Sequence, residues 1–173
     1  MDARRLPPGI SIRAIGPDDV MRLERFYGTL SRDSLDARFH GGTRGIEDRA
    51  ARTFCGPDHL HREGLVAVKR GAHGGETIVG HLCLEPMGGD EVEMAIAVAD
   101  GYQHHGIGRE LLAASIEWAR SHVFTLVRGA IRWSNPAILG LVRTCGLPIR
   151  IVTDAEGDTG VVIDIRPQLR TAA

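Results

Sequence analysis

Apolar and polar residues alternate along Ile10-Ser11-Ile12-Arg13-Ala14-Ile15, which predicts an opening β-strand. Gly16-Pro17-Asp18-Asp19 then signals a helix start, because proline suits a first turn and aspartates favour its positive end. Leu23, Phe26 and Leu30 give that helix an apolar stripe, and Ser31 is placed to cap a short second helix running to Arg38. Gly41, Gly42 and Gly45 mark a glycine-rich connection, after which a third helix is predicted over Ile46–Phe54.

From Gly64 the period changes. Leu65–Lys69, Thr77–Leu84 and Glu91–Val98 have strand character and are separated by glycine-rich turns at 71–75 and 88–89, which predicts an antiparallel meander. A long helix is expected from Gly106 to about Ser121, with Ile107, Leu111, Ala114 and Trp118 on its apolar face. Val127, Gly129, Ile131 and Trp133 alternate with Arg128, Ala130 and Arg132 in the next strand. Asn135-Pro136 opens a further helix that stops at Gly146, before Pro148. Arg150–Thr153 and Gly160–Ile165 form a closing pair across the turn residues 154–158. There is no internal repeat or linker, so residues 1–173 are expected to form one domain built on a mixed α/β sheet.

Composition narrows the function more than it defines it. The chain has 21 basic and 22 acidic residues and a formal net charge of −1, which gives no electrostatic case for nucleic acid or an anionic membrane surface. No apolar run approaches a membrane span, and the first residues lack the apolar centre of a signal peptide. Three widely spaced cysteines, Cys55, Cys83 and Cys145, argue against a disulfide framework or a zinc cluster and fit a reducing cytoplasm. The His59-x-His61 pair could chelate, but no partner block stands at metal-site spacing, and no metal is expected.

The segment Val92–Gly108 carries the chemistry. A strand leads into Gln103-His104-His105-Gly106-Ile107-Gly108, and a helix follows at once. A glycine-punctuated turn that opens a helix directs backbone N–H groups outward at the positive end of the helix dipole, where they can hold phosphate oxygens. The spacing is neither a dinucleotide fingerprint, which needs a third glycine, nor a Walker loop, which needs a lysine. A turn that merely ends a strand is the plain alternative.

Three blocks resemble the GCN5-related N-acetyltransferases. Gln103–Gly108 is similar to that family's Q/R-x-x-G-x-G/A pyrophosphate loop, and Asn135–Leu141 running on to Cys145-Gly146-Leu147 is similar to a block near its C-terminus. Ser31-Arg32-Asp33-Ser34-Leu35-Asp36-Ala37-Arg38-Phe39 resembles the S-x-x-S-L-x-x-R-F segment of the acetyltransferase domain in bacterial protein-lysine acetyltransferases. The resemblance implies a mainly antiparallel central sheet flanked by helices, and acetyl-CoA as co-substrate. It places the pyrophosphate on the amides of His104, His105, Gly106, Ile107, Gly108 and Arg109, behind Gln103. It places the pantetheine arm along Ile96, Ala97 and Val98, with the Val98 N–H as oxyanion donor, and Asn135 against the same arm. Asn135 also reads as a cap for the helix behind it.

Glu93 is the candidate general base. An ammonium must lose a proton before it attacks a thioester, and a partly buried carboxylate can take it. Alternation places Glu93 on the face of Ala95 and Ala97, small residues that leave room for a ligand; the plain alternative is a solvated carboxylate beside Asp90 and Glu91. Two departures stand out. Where many members have a tyrosine acid this chain has Val142, so a thiolate leaving group takes its proton from solvent. His104-His105 replaces the small residue and cation usual in the loop.

The expected activity is therefore acetyl transfer to a primary amine in the cytoplasm, with a protein lysine as acceptor, by a monomer or homodimer with no nucleic-acid or membrane partner. The alternatives are a small-amine acetyltransferase and a catalytically weak acyl-CoA-binding module.

Overall fold

A computed structural model describes residues 6–39, 43–131, 136–153 and 159–167. Among the described residues, seven strands form one sheet in the order β1-β2-β3-β4-β5-β7-β6. The strands are β1 (Ile10–Ala14), β2 (Glu63–Arg70), β3 (Glu76–Gly88), β4 (Glu91–Val98), β5 (Leu126–Ile131), β6 (Ile149–Thr153) and β7 (Thr159–Asp164). The α-helices of the described residues flank them: α1 (Val20–Gly28), α2 (Arg32–Phe39), α3 (Asp48–Phe54), α4 (Ile107–Ser121) and α5 (Pro136–Arg143).

Strands β2 to β4 form the expected antiparallel meander, and β1 pairs antiparallel with β2 at its outer edge. Helix α4 is the crossover that brings β5 back parallel to β4, while β5–β7 and β6–β7 are antiparallel. The closing strands thus reach the sheet through β7, which inserts between β5 and β6.

Alternation along β2 to β5 divides the sheet into two apolar faces. On one, Leu65, Ala67, Leu82, Leu84, Val92, Met94 and Val127 pack with Ile107, Leu111, Leu112 and Ile116 of α4 and Val142 of α5. On the other, Val66, Val68, Ile78 and Ala97 meet Leu23, Phe26, Tyr27, Leu30 and Leu35 from the α1–α2 region. The stripe of α4 is wider than expected: Ile107 and Leu111 are buried and Ala114 and Trp118 pack partly buried against the core, while Leu112, Ser115, Ile116 and Ala119 are buried beside them. Trp118 also stacks on His122 and Phe124, with ring centroids 4.2 and 5.9 Å away. Helix α3 begins later than expected, at Asp48 after Glu47.

Ser31 caps α2 as expected, its Oγ accepting from the Ser34 N–H at 3.2 Å. Asn135, Trp133, Gly41, Gly42 and the 154–158 turn lie outside the described residues.

Candidate active site

Strands β4 and β5 pair only at Glu91–Leu126, Val92–Val127 and Glu93–Arg128, although β4 runs on to Val98. Beyond Glu93 the two strands part, and one edge of β4 stands open. The Ala99 N–H donates to the Val79 carbonyl at 2.9 Å. Since backbone groups alternate in direction along a strand, Ala97 and Ala95 also face β3, whereas Ile96 and Val98 face the gap. Of the three residues expected along the pantetheine arm, Ile96 and Val98 thus lie on the open edge. Ala97 turns its backbone toward β3 and buries its side chain on the α1–α2 face. The Val98 carbonyl accepts from Gln103 Nε2 at 3.1 Å, which leaves the N–H of Val98 as the open group there.

A cavity of about 290 Å³ occupies the gap. Its walls come from α2 (Ala37, Arg38), α3 (Phe54), β3 (Cys83, Glu85), β4 (Glu93 to Ile96), β5 (Gly129, Ala130) and α5 (Ile138). Glu93 is exposed at this cavity rather than partly buried. Among the described residues it has no hydrogen-bond or ion-pair partner. Its neighbours are committed: Arg62 holds Glu85 through two bonds of 2.5 and 2.7 Å, and Arg128 holds Glu91. Glu93 therefore retains its acceptor capacity where a substrate can use it.

Arg38 lines the cavity although composition and periodicity did not single it out; the S-x-x-S-L-x-x-R-F block contained it. Its guanidinium lies 4.8 Å from the Phe39 ring centroid and 5.5 Å from that of Phe54. One terminal nitrogen donates to Cys83 Sγ at 3.2 Å, and the buried Nε has no acceptor among the described residues. Burial pushes the Cys83 thiol up, against the opposing pull of Arg38, so the sulfur stays protonated. Beneath this layer, His81 is fully buried, with Nδ1 2.8 Å from the Tyr27 hydroxyl. Burial, aided by Arg38, pushes His81 down to about 3 and keeps it neutral.

The turn after β4 has two left-handed residues, His104 (φ 62°) and Gly106 (φ 86°). Gly106 is the residue before α4, and no side chain caps the helix. The first-turn N–H groups at Ile107, Gly108 and Arg109 therefore lack intrahelical acceptors and sit at the positive end of a 15-residue helix. His105 Nδ1 turns back to the Gln103 carbonyl at 2.6 Å. A Cβ at Gly108 meets Leu141 methyls at 3.4 and 3.6 Å, so this glycine also lets α4 approach α5.

The two histidines considered as chelators point to separate carboxylates, His59 to Glu63 at 2.7 Å and His61 to Asp58 at 3.0 Å. Among the described residues no group of three or more His, Cys, Asp or Glu could hold a metal, and no helix is long and apolar enough to cross a membrane. Val142 is fully buried in the core, so its side chain does not face the cavity.

A mixed sheet parted at β4–β5, with an uncapped helix behind the β4 turn, defines an acyltransferase architecture. The chain belongs to the acetyltransferase (GNAT) family, which matches residues 30–146 and whose members use acetyl-CoA as acyl donor. The GNAT domain of Streptomyces lividans PAT is similar in structure, with 22% identity over 88% of this chain and 89% of that one and a TM-score of 0.78. So is yncA, a putative acetyltransferase from Salmonella typhimurium solved with its cofactor acetyl-CoA, with 17% identity over 95% and 99% of the two chains and a TM-score of 0.71. A phosphinothricin acetyltransferase from Sinorhizobium meliloti in complex with acetyl-CoA matches at 18% identity, over 89% and 86%, with a TM-score of 0.69. At these identities the likeness establishes the fold.

Proposed function

We propose that this chain transfers an acetyl group from acetyl-CoA to a primary amine, a protein lysine side chain, with Glu93 as general base. The observation that carries this reading is the parting of β4 from β5, which leaves an open strand edge beside a cavity lined by a carboxylate with no ion-pair partner among the described residues. These features fit the co-substrate. The open edge at Ile96 and Val98 suits an amide-bearing arm, and the uncapped α4 terminus suits a pyrophosphate.

Acetyl-CoA supplies an activated thioester. Glu93 takes a proton from the incoming ammonium, directly or through one water. The neutral amine attacks the carbonyl carbon and the C–N bond forms; the nitrogen gives up its second proton to solvent as the adduct collapses, the C–S bond breaks, and the thiolate takes a proton from solvent. The Val98 N–H faces the gap where the oxyanion develops. Phe54, Met94, Ile96 and Ile138 offer apolar wall to an alkyl chain, and the motif Ser31–Phe39 supports lysine as its source.

Arg38 favours a second reading. A guanidinium in a cavity wall, its Nε without an acceptor among the described residues, suits an oxygen ligand. A small zwitterionic amine would place its ammonium at Glu93 and its carboxylate at Arg38.

One assay separates these readings and tests the coenzyme. Calorimetry with acetyl-CoA, NAD and ATP should show binding of acetyl-CoA alone. Acetyl transfer is then measured on a lysine peptide and on free amino acids. Binding of NAD as tight as acetyl-CoA would overturn the assignment; turnover of amino acids but not of peptides would move the acceptor to the second reading.

A further inference from the structure

Two sequence blocks 69 residues apart meet at one carboxylate. Asp100 Oδ1 accepts from Ser31 Oγ at 2.6 Å and from Ser34 Oγ at 2.8 Å, while Oδ2 accepts from the Ser31 backbone N–H at 2.9 Å. Gln103 completes the network, its Nε2 donating at 3.1 Å both to Ser34 Oγ and to the Val98 carbonyl. Burial alone would raise the Asp100 carboxyl, but the serine bonds outweigh it and hold it below the ordinary range.

The bonds join three parts of the site. Ser31 and Ser34 belong to the start of α2, whose far end carries Ala37 and Arg38 in the cavity wall. Val98 ends the open edge of β4. Gln103 begins the turn that leads to Gly106 and the α4 terminus. Gln103 spends its amide hydrogens inside the protein, so its side chain shapes the turn instead of binding phosphate. We propose that Asp100 is a positioning residue: through Ser34 and Gln103 it ties α2 to the coenzyme turn, so that acetyl-CoA seated at the turn also fixes the wall of the acceptor cavity. This inference rests on the coenzyme reading above.

The test combines amide hydrogen exchange of peptides covering residues 31–39, with and without acetyl-CoA, and calorimetric acetyl-CoA affinities. In the parent, acetyl-CoA should slow exchange in α2. Ser34→Ala and Asp100→Asn should lose that slowing and bind acetyl-CoA about tenfold more weakly, the scale expected for hydrogen bonds that include a charged partner. Ser34→Thr, which keeps the hydroxyl, should restore both. Because Ser34 and Gln103 act in one chain of bonds, the Ser34→Ala/Gln103→Ala double variant should bind no more weakly than the weaker single variant. A merely structural role would lower melting temperatures and leave the α2 response to acetyl-CoA intact, which would overturn the proposal. So would α2 exchange in the parent that is indifferent to bound acetyl-CoA, a comparison that needs no variant. If the parent fails to bind acetyl-CoA at all, the coenzyme reading falls and takes this inference with it.

Discussion

Glu93 faces Glu85 directly across the β3–β4 pair, and among the described residues only Glu85 of the two is held in an ion pair. Two carboxylates opposed on one sheet face repel each other. Arg62 relieves this by gripping Glu85 with two of its nitrogens, and Glu93 is left free at the cavity. The pair is thereby divided into a structural carboxylate and an available one. Glu85→Gln should leave turnover within a few fold of the parent and lower stability by under about 1 kcal/mol, as expected for a partly exposed ion pair. A loss of turnover beyond a hundredfold in a folded Glu85→Gln protein would assign the proton acceptor to the wrong carboxylate.

The two glycines of the turn act by different means. Gly106 has the left-handed backbone, while Gly108 sits inside the first turn of α4. Gly106→Ala should lose roughly 1–2 kcal/mol to backbone strain and weaken acetyl-CoA binding by misdirecting the turn amides. Gly108→Ala makes ordinary contact with Leu141 and should be mild, whereas Gly108→Val crowds that packing and the ligand side together. Thermal melts and calorimetry on the three variants check this order. Equal affinities for Gly106→Ala and the parent would contradict it.

Val142 is a core residue, which changes what a tyrosine there should do. The sequence alone suggests that Val142→Tyr leaves the rate within a few fold of the parent. In the fold, position 142 is wholly enclosed by the α4–α5 side of the sheet. A tyrosine should overpack it and cost about 1–3 kcal/mol of stability. Urea titration measures this; an unchanged midpoint would show that the position opens toward the site.

His81 should leave its mark on acid stability. It is neutral in the fold, pushed down to about 3, while an unfolded-chain histidine titrates near about 6.5. Its contribution is therefore complete above about pH 6.5 and is lost as the pH falls toward 3, because the unfolded state takes up the proton first. The slope approaches roughly 1.4 kcal/mol per pH unit below that upper bound. Unfolding free energies at pH 7 and pH 5 should differ by about 2 kcal/mol more in the parent than in His81→Gln. Equal differences would show that His81 is protonated in the folded protein.

Much of this fold was legible in the order of its periodicities. The meander, the long helix and the closing hairpin follow from alternation, glycine turns and capping residues. The parting of β4 from β5 does not, because β5 arrives only after α4 and its partner and register are set by contacts between distant segments. Within the site, Glu93 and the Gln103–Arg109 turn were visible as local patterns, yet the turn's left-handed glycine was not distinguishable from its neighbour. Arg38, Cys83 and Asp100 owe their roles to contacts between distant segments. Alternation puts His81, Cys83 and Glu85 on one face of β3, but a histidine in a strand gives no local sign that it will be buried against Tyr27.

The most direct test of the account is the pH dependence of turnover in Glu93→Gln. The substitution keeps the side chain's shape and removes its proton acceptor, and a general base typically contributes about 10²–10⁴-fold. Turnover near neutral pH should fall by about that factor, acetyl-CoA affinity should change little, and part of the rate should return as the pH rises and the amine loses its proton unaided. Near-parental turnover across that range would make Glu93 a structural carboxylate and contradict the proposed mechanism.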